Sequence, residues 1–140
     1  NAPSIVAFSA AATEHYPSSN VQTLRDNFIN ALHAAIPDAY VNGEASQRLP
    51  GIVNVTFPGT QSDTLLLLLD NAHVSASTGS ACSAGVHEAS HVLLAMGHTE
   101  ETAQSSLRFS FGAASTQADV DYVMSVLPGV IATGRAAHTV

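Results

Sequence analysis

Lysine is absent from the sequence, and its four basic side chains are all arginines: Arg25, Arg48, Arg108 and Arg135. They form no cluster, and the formal net charge is −7. An acidic chain without a basic patch is a poor partner for nucleic acid or anionic membranes, which are held chiefly through Lys/Arg contacts to phosphate. Cysteine is nearly absent too. The single thiol, Cys82, excludes an intrachain disulfide and suits a reducing compartment such as the cytoplasm. The longest uninterrupted apolar run, Leu65 to Leu69, is far too short to span a bilayer, and no signal peptide is visible. Only 11% of residues are charged, so solubility rests largely on Ser, Thr, Asn, Gln and His. What is present suffices for one domain, since 140 residues with 46% hydrophobic content can build a core.

Taken in order, Pro3 and the alanine-rich stretch up to Glu14 predict a helix, with Ile5, Phe8 and Ala12 on one face. Tyr16 to Asn20 breaks it, and Ser19 or Asn20 can cap a second helix over about Val21 to Ile36. Leu24, Phe28, Leu32 and Ala35 form its apolar stripe. The period then changes. Ala39 to Asn42 and Ile52 to Phe57 read as strands between turn signals at Asn42-Gly43, Pro50-Gly51 and Pro58-Gly59. Asp63 to Asp70 predicts a leucine-rich helix capped by Asp63, followed by a short strand over His73 to Ser75. A helix over His87 to Met96 stops at Gly97, and a helical turn spans Glu100 to Gln104. Ser106 to Phe111 is a strand; Thr116 caps a last helix over Gln117 to Leu127, which Pro128-Gly129 ends. The tail from Ala132 to Val140 lacks periodicity and is expected to fray. Strands interleaved with helices predict an α+β fold: a small mixed or antiparallel sheet with helices packed on one face.

Three features could carry chemistry. The stretch from Ser75 to Gly85 consists entirely of small residues around Cys82, with Gly79 and Gly85 on either side. Ordering it would cost backbone entropy with little burial in return, which predicts a mobile loop. Buried cysteines are common as small hydrophobes, but those have Val, Leu or Ile neighbours, and the setting of Cys82 favours an exposed thiol. The second feature is Arg108. In a strand, Leu107, Phe109 and Phe111 face the core and Arg108 and Ser110 face away. A guanidinium held there suits a bidentate grip on a carboxylate, the alternative being a surface arginine paired with an acid or with water. The third is His87-Glu88-Ala89-Ser90-His91, an H-E-x-x-H string that on a helix would suit a zinc hydrolase. Its extended form would need glycine at 94 and histidine at 97, where the chain has Leu94 and Gly97. The remaining histidines, among them His15, His33, His73 and His138, are scattered without ligand spacing.

Ser77-x-Gly79-Ser80-Ala81-Cys82, then Ser90 to Gly97, then Ser105-Ser106-Leu107-Arg108-Phe109-Ser110, followed by Thr116 and Asp119-Val120-Asp121, resembles the C-terminal part of the cysteine desulfurases. These are fold-type I, pyridoxal-phosphate enzymes of the class V aminotransferase group. Arg48 to Gly59 is similar to the strand that precedes the leucine-rich helix in the same family. The resemblance implies an enzyme, with a homodimeric parent, that converts L-cysteine to L-alanine. The persulfide it forms would pass to a sulfur-acceptor or scaffold protein for iron–sulfur cluster assembly or thiolation. Cys82 matches the nucleophile that takes the substrate's sulfur, and Arg108 matches the arginine that holds the substrate carboxylate.

One departure limits the carry-over. The family attaches pyridoxal phosphate through a lysine, and this chain has none, so no cofactor-binding residue is expected here and the isolated chain should be inactive. The resemblance therefore implies a helix at residues 1–18 leading in from a large domain, a small α+β domain at 19–131 and a flexible tail at 132–140. Two other readings remain: a zinc-dependent hydrolase using His87, Glu88 and His91, and a non-catalytic sulfur-carrier or interaction domain.

Overall fold

Alternation decides the sheet. Val53 and Val55 in β2 (Ile52–Thr56) and Leu107 and Phe109 in β3 (Ser106–Ser110) project to one face and are buried. A computed structural model describes residues 1–13, 18–79 and 89–138 of the chain. In it β1 (Tyr40–Val41), β2 and β3 form an antiparallel sheet in that order, with Val53 opposite Phe109 and Val55 opposite Leu107. Ser77 extends the sheet beyond β3 through a single antiparallel bridge to Arg108.

The apolar face is covered by three helices: α2 (Ser18–Ala35), α3 (Ser62–Asn71) and α6 (Gln117–His138). Leu24, Phe28 and Leu32 of α2, Leu65 and Leu69 of α3, and Val120, Leu127 and Ile131 of α6 share one core with the strands. The Phe28 ring sits 5.0 Å from that of Phe109 and 5.7 Å from that of Phe111, both tilted. Arg25, also on α2, is buried and donates to the Leu49 carbonyl at 2.8 Å, which pins the loop entering β2. The α+β arrangement expected from the sequence is the one observed. In addition, short helices α4 (His91–Ala95) and α5 (Glu100–Gln104) shelter one end of the other sheet face, where Ser106 Oγ donates to the Thr102 carbonyl at 2.7 Å. α1 (Ala2–Thr13) buries none of its residues; Ile5 and Phe8 are 68% and 75% exposed.

Several expectations need correction. Pro128 does not end the last helix, and the residues expected to fray from Ala132 are helical as far as His138. Proline removes one backbone bond and costs about 3 kcal/mol in a helix interior. Burial of Leu127 and Ile131, each contributing roughly 1.5–3 kcal/mol, offsets that. Beyond them Gly134 lets α6 meet α3 at Leu65, and Arg135 bonds the Pro58 carbonyl and Asp38. The stripe on α2 runs through Ile36, which is buried, whereas Ala35 is exposed. Gln61, not Asp63, occupies the N-cap position of α3.

His73 to Ser75 forms no strand. His73 has φ 55° and terminates α3: its N–H donates to the Asp70 carbonyl and the Val74 N–H to that of Leu69. This is a Schellman ending, and Val74 is buried as its apolar anchor. Gly97 ends α4 in the same way with φ 90°, but α4 begins at His91; Ala89 and Ser90 are not helical. The start of α6 is as expected. The Thr116 N–H and hydroxyl both donate to Asp119 Oδ2, at 2.7 and 2.9 Å, and the Asp119 N–H returns to Thr116 Oγ1 at 3.3 Å. These donated bonds, the backbone one foremost, hold the Asp119 carboxyl below its ordinary value.

Candidate functional site

Because Leu107 and Phe109 are drawn into the core, Arg108 is carried to the opposite face, where it is exposed. Its backbone is fixed on both sides. The Arg108 N–H donates to the Ser77 carbonyl at 2.6 Å, and the Ser77 N–H donates to the Arg108 carbonyl at 3.0 Å. With those groups turned toward Ser77, the register partner on the other side, Asn54, faces Arg108 as a non-hydrogen-bonded pair. Side chains approach most closely in such pairs. The Asn42 N–H donates in turn to the Asn54 carbonyl at 2.9 Å. Asn42, Asn54, Arg108 and Ser77 thus form one polar row across the sheet.

The row is anchored at both ends. Asn42 is buried and donates from Nδ2 to Asn54 Oδ1 at 2.6 Å and to Thr56 Oγ1 at 2.8 Å. Thr56 Oγ1 lies 2.8 Å from Ser106 Oγ, with both residues fully buried. At the other end Ser77 Oγ accepts from the Gly79 N–H at 3.0 Å and lies 3.5 Å from an Arg108 guanidinium nitrogen. Among the described residues no carboxylate is ion-paired with Arg108. The guanidinium is therefore presented by a rigid strand and is not neutralised by a described acid, an arrangement able to hold an incoming carboxylate.

Of the residues singled out from sequence, Arg108 lies on the outer sheet face as expected. Cys82 lies outside the described residues, as do the other residues from Ser80 to Glu88. The described chain reaches toward it through Ser77 and Gly79, so Arg108 and the start of the cysteine-bearing segment are joined by backbone hydrogen bonds. His87 and Glu88 are outside the described residues as well; His91 is exposed on α4, and the non-helical Ala89 and Ser90 precede it. The helix expected to set His87 and His91 one turn apart thus begins only at His91. No group of three or more His, Cys, Asp or Glu able to hold a metal occurs among the described residues. None of the described helices is long and apolar enough to cross a membrane. Sequence reasoning missed Asn54 and Asn42. A signal was present, since asparagine is depleted in strands and Asn54 interrupts an otherwise β-branched run at an outward position.

The sequence profile of the family described as aminotransferase class-V matches residues 4–123. The chain is 46% identical over 121 residues to an IscS-like cysteine desulfurase of Mycobacterium tuberculosis, covering 86% of this chain and 31% of that protein. It is 44% identical over 128 residues to cysteine desulfurase IscS of Clostridium botulinum, covering 89% and 32%. A cysteine desulfurase of Gluconacetobacter diazotrophicus is 41% identical over 140 residues, covering 96% and 35%. The chain spans about a third of the length of these curated relatives. Among solved structures, a NifS-like protein from Rickettsia africae superposes with a TM-score of 0.70 at 26% identity, covering 81% of this chain and 28% of the other.

Proposed function

Because the chain belongs to the aminotransferase class-V family, we propose that it is the C-terminal part of a cysteine desulfurase that converts L-cysteine to L-alanine. Cys82 receives the sulfur and Arg108 holds the substrate carboxylate. The observation that carries this reading is the pairing of Arg108 with Ser77. The cation that would hold the amino acid and the segment leading to the only thiol share one pair of backbone hydrogen bonds. Cys82 lies five positions after Ser77, a tether of at most about 18 Å. That reach is enough for the thiol to work beside Arg108.

The residues of this chain do not fit pyridoxal phosphate, since no lysine is available to bind it covalently. Carbon–sulfur cleavage also needs an electron sink, and no side chain here supplies one. The part played by this chain is therefore to hold the carboxylate and to receive the sulfur. The nucleophilic form of a cysteine is its thiolate, and Cys82 acts in that form. The cofactor and the electron sink belong to the rest of a longer enzyme, expected to be a homodimer. The persulfide on Cys82 would be passed to a sulfur-acceptor or scaffold protein, for iron–sulfur cluster assembly or thiolation, in the cytoplasm.

The test uses the full-length enzyme that contains this segment. Cys82→Ala should abolish the gain of one sulfur atom seen by intact mass after exposure to L-cysteine, whereas Arg108→Ala should raise KM. A Cys82→Ala enzyme that still loads sulfur onto an acceptor would refute the assignment. If the 140-residue chain alone took sulfur from a separate donor enzyme, the carrier-domain reading would replace this one.

A further inference from the structure

Asn54 is the in-register neighbour of Arg108 on the outer sheet face, in the close, non-hydrogen-bonded type of pair. Its amide is oriented from behind: buried Asn42 donates to Asn54 Oδ1 at 2.6 Å. That bond occupies the acceptor end and leaves Nδ2 as a donor that makes no hydrogen bond among the described residues. Asn42 is itself held by Thr56 Oγ1 at 2.8 Å, which in turn meets Ser106 Oγ, so the orientation is fixed by buried groups. A rigid neutral donor thus stands beside a guanidinium that has no described acid. Arginine and an amide N–H on one face are complementary to the two oxygens of a carboxylate.

We propose that Asn54 is the second donor to the substrate carboxylate, forming with Arg108 a clamp across the β2–β3 pair, with Asn42 as the residue that positions it. This rests on the reading of Arg108 given above. The clamp also bears on specificity. A ligand with a carboxylate satisfies both donors, whereas one lacking it leaves them without an acceptor.

The experiment compares Asn54→Ala, Asn54→Asp and Arg108→Ala in the full-length enzyme, with KM and kcat for L-cysteine and the unfolding midpoint of each. Aspartate keeps the oxygen that accepts from Asn42 but removes the donor and opposes the substrate with a negative charge. The clamp predicts that Asn54→Ala raises KM roughly ten- to hundredfold and that Asn54→Asp raises it further while unfolding near the wild-type midpoint. A purely structural Asn54 predicts the reverse order, with Asp benign and Ala harmful, and that result overturns the clamp. If Arg108→Ala raises KM but Asn54→Asp does not, the clamp alone is wrong. If Arg108→Ala leaves KM unchanged, the carboxylate reading of the whole site fails and the clamp with it.

Discussion

Two glycines on α6 should respond to alanine with opposite signs. At Gly129 an added Cβ meets nothing within 4 Å, and the position is exposed. Alanine there recovers the backbone entropy that glycine loses in a helix interior and should stabilise by about 0.5–1 kcal/mol. At Gly134 the same Cβ would lie 2.6 Å from Leu65 Cδ2 and 3.8 Å from Thr60 Cγ2. Leu65 is fully buried in the shared core, so it can give way only by moving against other core side chains. Forcing a methyl into such packing costs about 1–3 kcal/mol, more than the helix preference returns. Gly134→Ala should therefore destabilise, and because the helix preference is common to both, the two variants should differ by the packing cost, about 1–3 kcal/mol. Urea unfolding of the chain and of each variant, with equal m-values as a check on two-state behaviour, measures the difference. If Gly134→Ala proves as stabilising as Gly129→Ala, α6 is not docked on α3 beyond Pro128, and the account of how that proline is tolerated falls.

Two further outcomes are expected. Cys82 should alkylate in the folded chain at close to the rate of a small-molecule thiol, since the stretch around it has no large apolar residue to bury it; a requirement for denaturant would show a buried thiol. The lowered pKa of Asp119 carries a definite sign: its contribution is present above the unfolded carboxyl value and is lost as pH falls through the folded one. Asp119→Asn should thus reduce stability at neutral pH and flatten the decline toward acid, and an unchanged acid limb in a pH series of unfolding midpoints would contradict the cap.

Local pattern made β1 to β3, the Leu24, Phe28 and Leu32 stripe of α2 and the outward placement of Arg108 readable, because period and burial agree there. The errors have one common source. Pro128-Gly129 is a strong local stop signal, but what keeps α6 going is the burial of Ile131 and Gly134 against residues far away in sequence. The turn at His73 was hidden for a similar reason. A histidine in the left-handed region is uncommon, and Val74 holds it there as the buried anchor of a helix end, not as part of a strand. Asn54 was overlooked because its meaning comes from register, which no single strand displays.

Register also explains why the polar row can be relied on. Shifting β3 by one residue would move Leu107 and Phe109 to solvent and turn Arg108 into the core. Two such side chains contribute about 3–6 kcal/mol by burial, before the cost of a buried unpaired guanidinium is added. That is a large part of the 5–15 kcal/mol typical of a whole domain. The apolar side of the sheet therefore fixes the side on which Arg108 and Asn54 stand. Asn54 and Arg108, distant in sequence, are held opposite one another by Val53 against Phe109 and Val55 against Leu107. A core substitution such as Phe109→Ala should accordingly disturb carboxylate recognition without touching either donor. The same variant would leave the thiol of Cys82 itself unchanged.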